Sequence, residues 1–117
     1  MAFAFEKLDV FQVALQAVVV LDRIALALPP GRSAITQQMH RAALSVPLNI
    51  AEGSGGYGRL EKARFYIFAR RSATECAAIL KVMRTLGLGT EDDIAEATTL
   101  LDRIAAMLTK MILHRQT

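Results

Sequence analysis

Apolar residues recur at α-helical spacing along most of the chain, in four runs separated by short clusters of glycine and proline. The first run opens on Asp9-Val-Phe-Gln12, which has the form of a capping box, an acceptor at the N-cap with glutamine three residues on. It predicts a helix to about Leu28, where Pro29-Pro30-Gly31 ends it. A second helix is predicted from near Ser33 to about Glu52, with Pro47 inside it. Proline lacks the amide hydrogen that would bond back to Ala43, so a kink is expected there. Gly53-Ser-Gly-Gly-Tyr-Gly58 leads to a third helix, from about Arg59 to Leu86, which stops at Gly87-Leu88-Gly89. Thr90-Glu-Asp-Asp93 caps a fourth, reaching about His114. Connections this short make neighbouring helices antiparallel. The expected fold is therefore all-α: one domain over residues 1–117, an antiparallel up-down-up-down four-helix bundle with a Pro47 kink in helix 2.

The faces of the helices differ. On the fourth, Ile94, Leu101, Ile104, Leu108, Met111 and Ile112 gather opposite Glu96, Asp102, Arg103 and Lys110, which is ordinary amphipathicity. On the first, Gln12, Gln16 and Arg23 form one narrow polar stripe, with Asp22 a lone exception, and apolar residues cover the rest. One core cannot bury so wide a surface, which predicts a homo-oligomer assembled through helix 1; exposed small alanine and valine side chains are the alternative.

Composition narrows the class without identifying it. Hydrophobic residues make up 53% and aromatics 6%, with no tryptophan, which suits a helix bundle better than a β-sandwich. The single cysteine, Cys76, allows no intrachain disulfide and points to a reducing, cytoplasmic setting. The start of the chain does not read as a signal peptide, and the most apolar run, Val13 to Leu21, is too short for a membrane span. A net charge of +3 permits a nucleic-acid partner without requiring one. Its distribution says more: residues 59–84 hold seven Lys/Arg against two Glu, and residues 85–117 hold three against five acidic residues.

Catalytic, metal and cofactor sites are not expected. No glutamate begins the Glu-x-x-His pair that di-metal bundles use, and His40 and His114 stand alone. Cys76 falls on an apolar side with no base beside it in sequence. Gly53 to Gly58 follows a helix rather than a strand and lacks the Lys-Ser/Thr pair of a phosphate loop, although its amides at the start of helix 3 could meet an anion.

Two polar constellations remain. On helix 2, Gln38, Arg41, Ser45, Asn49 and Glu52 form a stripe across the Pro47 position. Ser and Asn side chains there could satisfy carbonyls freed by the proline, and Glu75 on helix 3 is a candidate ion-pair partner. On helix 3, Arg59, Lys62, Arg70, Lys81 and Arg84 fall within an arc of about 100°, with Tyr66 inside it, opposite Phe65, Phe68, Ser72, Ile79 and Met83. Cations with an interleaved aromatic are the combination that holds phosphates and stacks a base, in RNA or DNA. A solvated helix face has the same pattern.

Phe5-Glu-Lys-Leu-Asp-Val-Phe-Gln12, Arg41-Ala-Ala-Leu-Ser-Val-Pro-Leu-Asn-Ile-Ala-Glu-Gly53, and Arg64-Phe65 through Ala69, Ser72 and Glu75 carry a resemblance that runs nearly end to end. The chain resembles the four-helix-bundle proteins named after intervening sequences in bacterial 23S ribosomal RNA genes. Arg41, Ser45, Pro47, Asn49, Glu52 and Gly53 occupy the motif positions. The resemblance implies an up-down bundle and a ring-like homo-oligomer, a pentamer. Similar bundles include the accessory variability determinants, which bind nucleic acid and a reverse transcriptase. Arg71 stands where a small residue is usual, and Phe11 where tryptophan is. The expected function is that of a non-enzymatic nucleic-acid-associated oligomer; the alternative is a protein-interaction scaffold whose basic face only keeps it soluble.

Overall fold

The computed structural model describes residues 3–56 and 58–116, and builds them into four helices packed against one another, with no strand among the described residues. These are α1 (Asp9–Leu26), α2 (Ser33–Gly53), α3 (Arg59–Thr85) and α4 (Glu91–Gln116). A single 3₁₀ turn, Ala4–Lys7, precedes α1. Tyr57, in the predicted glycine-rich connection, lies outside the described residues, as do Met1, Ala2 and Thr117.

The helix ends show which local signals act. Thr90 caps α4 as expected, its Oγ1 accepting from the Asp93 amide at 3.2 Å. At the end of α3 the Leu88 amide donates to Met83 O and the Gly87 amide to Arg84 O, with Gly87 at φ +72°, which is the Schellman arrangement. The capping box expected at Asp9 does not form: Leu8 is the N-cap of α1, and Gln12 Nε2 donates instead to Glu6 O. Residues 4–7 wind into a turn that brings the Glu6 carbonyl within reach of Gln12, and the box is lost to it.

Alanine, valine and leucine from α1 and α2 meet Tyr66, Cys76, Leu80 and Met83 of α3 and Ile94, Ile104 and Leu108 of α4 in one core. Polar side chains tie its edges. His40 reaches Asp22 at 3.2 Å between α2 and α1, and Arg23 reaches Asp93 and Glu96 at 3.0 and 3.1 Å between α1 and α4. Asp22, the exception on the polar stripe of α1, thus faces a different neighbour from Arg23. Cys76 is fully enclosed, and burial, with Glu75 nearby, pushes its thiol up to about 12. Among the described residues no helix is long and apolar enough to cross a membrane.

α1 nevertheless keeps apolar residues outside: Leu15, Val19 and Leu26 are exposed, the last two by 64% and 69%. Leu44 and Leu48 of α2 are exposed as well, and Leu44 lines a shallow recess with Val18, Asp22 and His40 that joins the two helices' outer surfaces.

Candidate nucleic-acid interface

The buried side chains of α3 are Ala63, Tyr66, Ala69, Ala73, Cys76, Leu80 and Met83, which after Ala63 alternate three and four residues apart like a coiled-coil seam. This face is turned about a quarter turn from the one built on Phe65, Phe68, Ser72, Ile79 and Met83. Only Met83 and Cys76, which was expected on that apolar side, belong to both. Small residues occupy the seam because α3 approaches its neighbours closely there, and the larger rings are displaced to its flank.

The predicted basic stripe therefore borders the core instead of opposing it. Tyr66, expected among the exposed cations, is buried with 1% exposure, so its ring has no open face on which to stack a base. Arg115 Cζ lies 5.0 Å from the ring centroid, and desolvation raises the phenol while Arg115 partly offsets it. Lys62 Nζ donates to Gly55 O at 2.8 Å and Gly53 O at 3.3 Å, placing a cation at the carboxyl end of α2. Arg70 Nε donates to Thr109 Oγ1 at 2.8 Å, and Arg84 is paired with Glu91 at 3.1 Å. Lys81 shares a groove with Arg84 and Asp102. Arg59 is exposed at the first position of α3.

What divides these cations is the company they keep. All five carboxylates of α4 fall within residues 91–102, which contain no Lys or Arg; Glu91 pairs with Arg84, Asp102 shares the groove of Lys81 and Arg84, and Asp93 and Glu96 pair with Arg23 of α1. Residues 103–117 hold Arg103, Lys110 and Arg115 with no carboxylate, and this part of α4 meets the first half of α3 through Thr109 and Arg70. That half, residues 59–71, carries five Lys/Arg against Glu61 alone. Arg59, Lys62 and Arg70 thus belong to a positive end together with Arg64, Arg71, Lys110 and Arg115, whereas Arg84 is paired with Glu91 and Lys81 shares its groove with Asp102. Sequence reasoning missed Arg64 and Arg71, although the segregation of acids and bases along α4 was there to be read.

The positive end also has a recess. Ile67, Ile112 and Leu113 form the apolar part of a groove of about 260 Å³ between α3 and α4, and Arg70, Arg71 and Thr109 supply its polar groups.

The motif on α2 has a different character. Arg41 donates to Gln38 Oε1 at 2.8 Å and pairs with Glu75, the partner expected for it. The Ser72 hydroxyl donates to Ser45 Oγ at 2.8 Å, and Asn49 Nδ2 donates to Ser45 Oγ and to Ser45 O. Asn49 serves the Ser45 carbonyl rather than that of Ala43, so it is not the compensation expected for Pro47. Pro47 is buried within α2, and Glu52 is exposed and outside this seam. Gly53 ends the motif for a steric reason: a Cβ there would stand 2.6 Å from Tyr66 Cε1, 2.9 Å from Tyr66 Cδ1 and 3.1 Å from Phe65 Cβ. These motif residues set the distance and register of α2 against α3.

Residues 6–110 match the family model described as 23S rRNA-intervening sequence protein. No curated protein matches the chain.

Proposed function

Because the chain belongs to the 23S rRNA-intervening sequence protein family, we propose that it is a non-enzymatic, homo-oligomeric protein that associates with RNA through the positive end of its bundle. The observation that carries this reading is the cluster Arg59, Arg64, Arg70 and Arg71, faced by the carboxylate-free half of α4. Where cations outnumber carboxylates in this way, phosphates displace the counterions that balance the excess, and the entropy of ion release drives association. Lys62, which caps α2, adds charge there from a fixed position.

Assembly follows from the apolar surface of α1 and α2, where Leu15, Val19, Leu26, Leu44 and Leu48 remain for a second copy to cover. We read the assembly as a pentameric ring and the helices within each copy as running alternately up and down. The pairs Arg41 with Glu75, Ser45 with Ser72 and Gly53 with Lys62 support the alternation, and Pro47 inside α2 supports a kink. Light scattering giving five times the 12.8 kDa chain mass supports the ring, and a monomer refutes it.

Fluorescence anisotropy with structured and with single-stranded RNA at low salt tests the function. Binding is expected to weaken as salt rises, and the combined replacement Arg59→Gln, Arg64→Gln and Arg71→Gln is expected to flatten that salt dependence by about 0.7–0.9 in log-log slope for each phosphate no longer neutralised. No binding at low salt, or an unchanged slope in the triple variant, overturns the proposal.

A further inference from the structure

An aromatic residue that the basic end exposes lies on the flank of α3, beside its arginines. Phe68 has 37% of its surface exposed, in a core that keeps Tyr66 at 1%. Arg64 and Arg71 lie one turn before and one turn after it, and the three side chains leave the helix within an arc of about 60°. The two arginine Cα positions are thus about 10 Å apart along the axis, with Phe68 between them. The Phe65 ring stands nearly perpendicular to that of Phe68, with centroids 6.3 Å apart at 85°, and Arg64 Cζ lies over the Phe68 ring, 5.9 Å from its centroid. Arg64 is 69% exposed, its carboxylate neighbour Glu61 standing at 3.9 Å, and Arg71 is exposed beside the groove that separates α3 from α4.

We propose that Phe68, flanked by Arg64 and Arg71, is a stacking platform for a base of single-stranded nucleic acid, with the two guanidiniums holding the phosphates on either side. The proposal rests on the RNA association described above and specifies the form of the ligand. A duplex keeps its bases stacked on each other and offers only phosphates, whereas a single strand can turn a base onto an exposed ring. A charged face with no aromatic would not distinguish the two. The positive end therefore selects unpaired strands, and Phe68 is what selects them.

The chain contains no tryptophan, so Phe68→Trp supplies a single fluorescent reporter at the platform and retains a π-face. Phe68→Leu keeps apolar bulk against Phe65 and removes that face. Short unstructured RNA and an RNA duplex of the same length are titrated into the full chain. Tryptophan quenching by the single strand and not by the duplex is expected, as is a roughly five- to hundredfold loss of single-strand affinity in Phe68→Leu with duplex affinity unchanged. Equal single-strand affinity in Phe68→Leu and the unsubstituted chain, or equal losses on both RNAs, overturns the platform while leaving RNA association in place. A shift in oligomer mass in Phe68→Leu with no change in binding assigns the ring to contacts between copies and overturns it as well. If neither RNA binds the unsubstituted chain, the functional reading fails and takes the platform with it.

Discussion

One methyl group on Gly53 tests how closely α2 and α3 are locked together. In Gly53→Ala the new Cβ stands 2.6 and 2.9 Å from two carbons of the Tyr66 ring, below any ordinary carbon contact, and 3.1 Å from Phe65 Cβ. Tyr66 is buried and Arg115 covers its face, so the ring cannot swing into solvent to make room. Overpacking of this kind costs about 1–3 kcal/mol. Alanine is the better helix former by up to about 1 kcal/mol, but Gly53 is the last residue of α2 and realises only part of that gain. The net loss is about 1–2 kcal/mol. With an unfolding entropy near 2.1 cal/mol/K per residue, a chain of 117 residues loses about 4 °C per kcal/mol, so Tm is expected to fall by about 4–8 °C. Thermal unfolding followed by circular dichroism measures it. Gly56→Ala is the control: nothing lies within 4 Å of a Cβ at that position, and its effect is expected to stay within about 0.5 kcal/mol. An unchanged or raised Tm in Gly53→Ala would refute the packing argument.

Cys76 makes alkaline stability depend on one thiol. Its unfolded form releases a proton near pH 9, whereas burial delays release to about 12, so the unfolded chain binds fewer protons in that window and stability falls as pH rises. The contribution is fully present below pH 9 and is lost at up to about 1.4 kcal/mol per pH unit above it; urea midpoints for the unsubstituted chain and Cys76→Ala that decline in parallel from pH 9 to 11 would count against it. On the outer surface of α1, Val19→Asp is expected to leave the helical content intact, since Val19 is 64% exposed, but to break the assembly. Unaltered mass by light scattering would move the interface elsewhere.

The four helices were legible from punctuation and periodicity alone. Pro29-Pro30-Gly31, Gly87 and Thr90 act through local backbone geometry, which a sequence exposes directly. Asp9 failed as a cap because a turn at Ala4–Lys7 competes for Gln12, a contact between segments rather than a local preference. The face of α3 was misread because hydrophobic weight was placed on Phe65 and Phe68, whereas helices approach where side chains are small, at Ala63, Ala69 and Ala73. That misreading put Tyr66 on the surface and left Phe68 in the core. Arg41 with Glu75 was found because both belong to compact polar patterns that only a neighbouring helix can satisfy.

The partition of charge along α4 bears on how copies can coexist. Residues 91–102 are purely acidic among charged side chains but are met by Arg23 of α1 and Arg84 of α3, whereas the other half of the helix is purely basic and adjoins the basic half of α3, so the unbalanced charge of each molecule is positive and lies at one end. In a closed ring whose rotation axis runs along the helices, these positive ends would fall side by side, and every added subunit would raise the repulsion at that rim. The apolar surface of α1 and α2 must outweigh that repulsion, and dissolved ions lessen it by screening. The same ions compete for the phosphates of a bound strand. For a ring that binds RNA in this way, ionic strength would act in opposite directions on the two properties, tightening assembly while loosening the hold on RNA, and ring formation and RNA release would share one control.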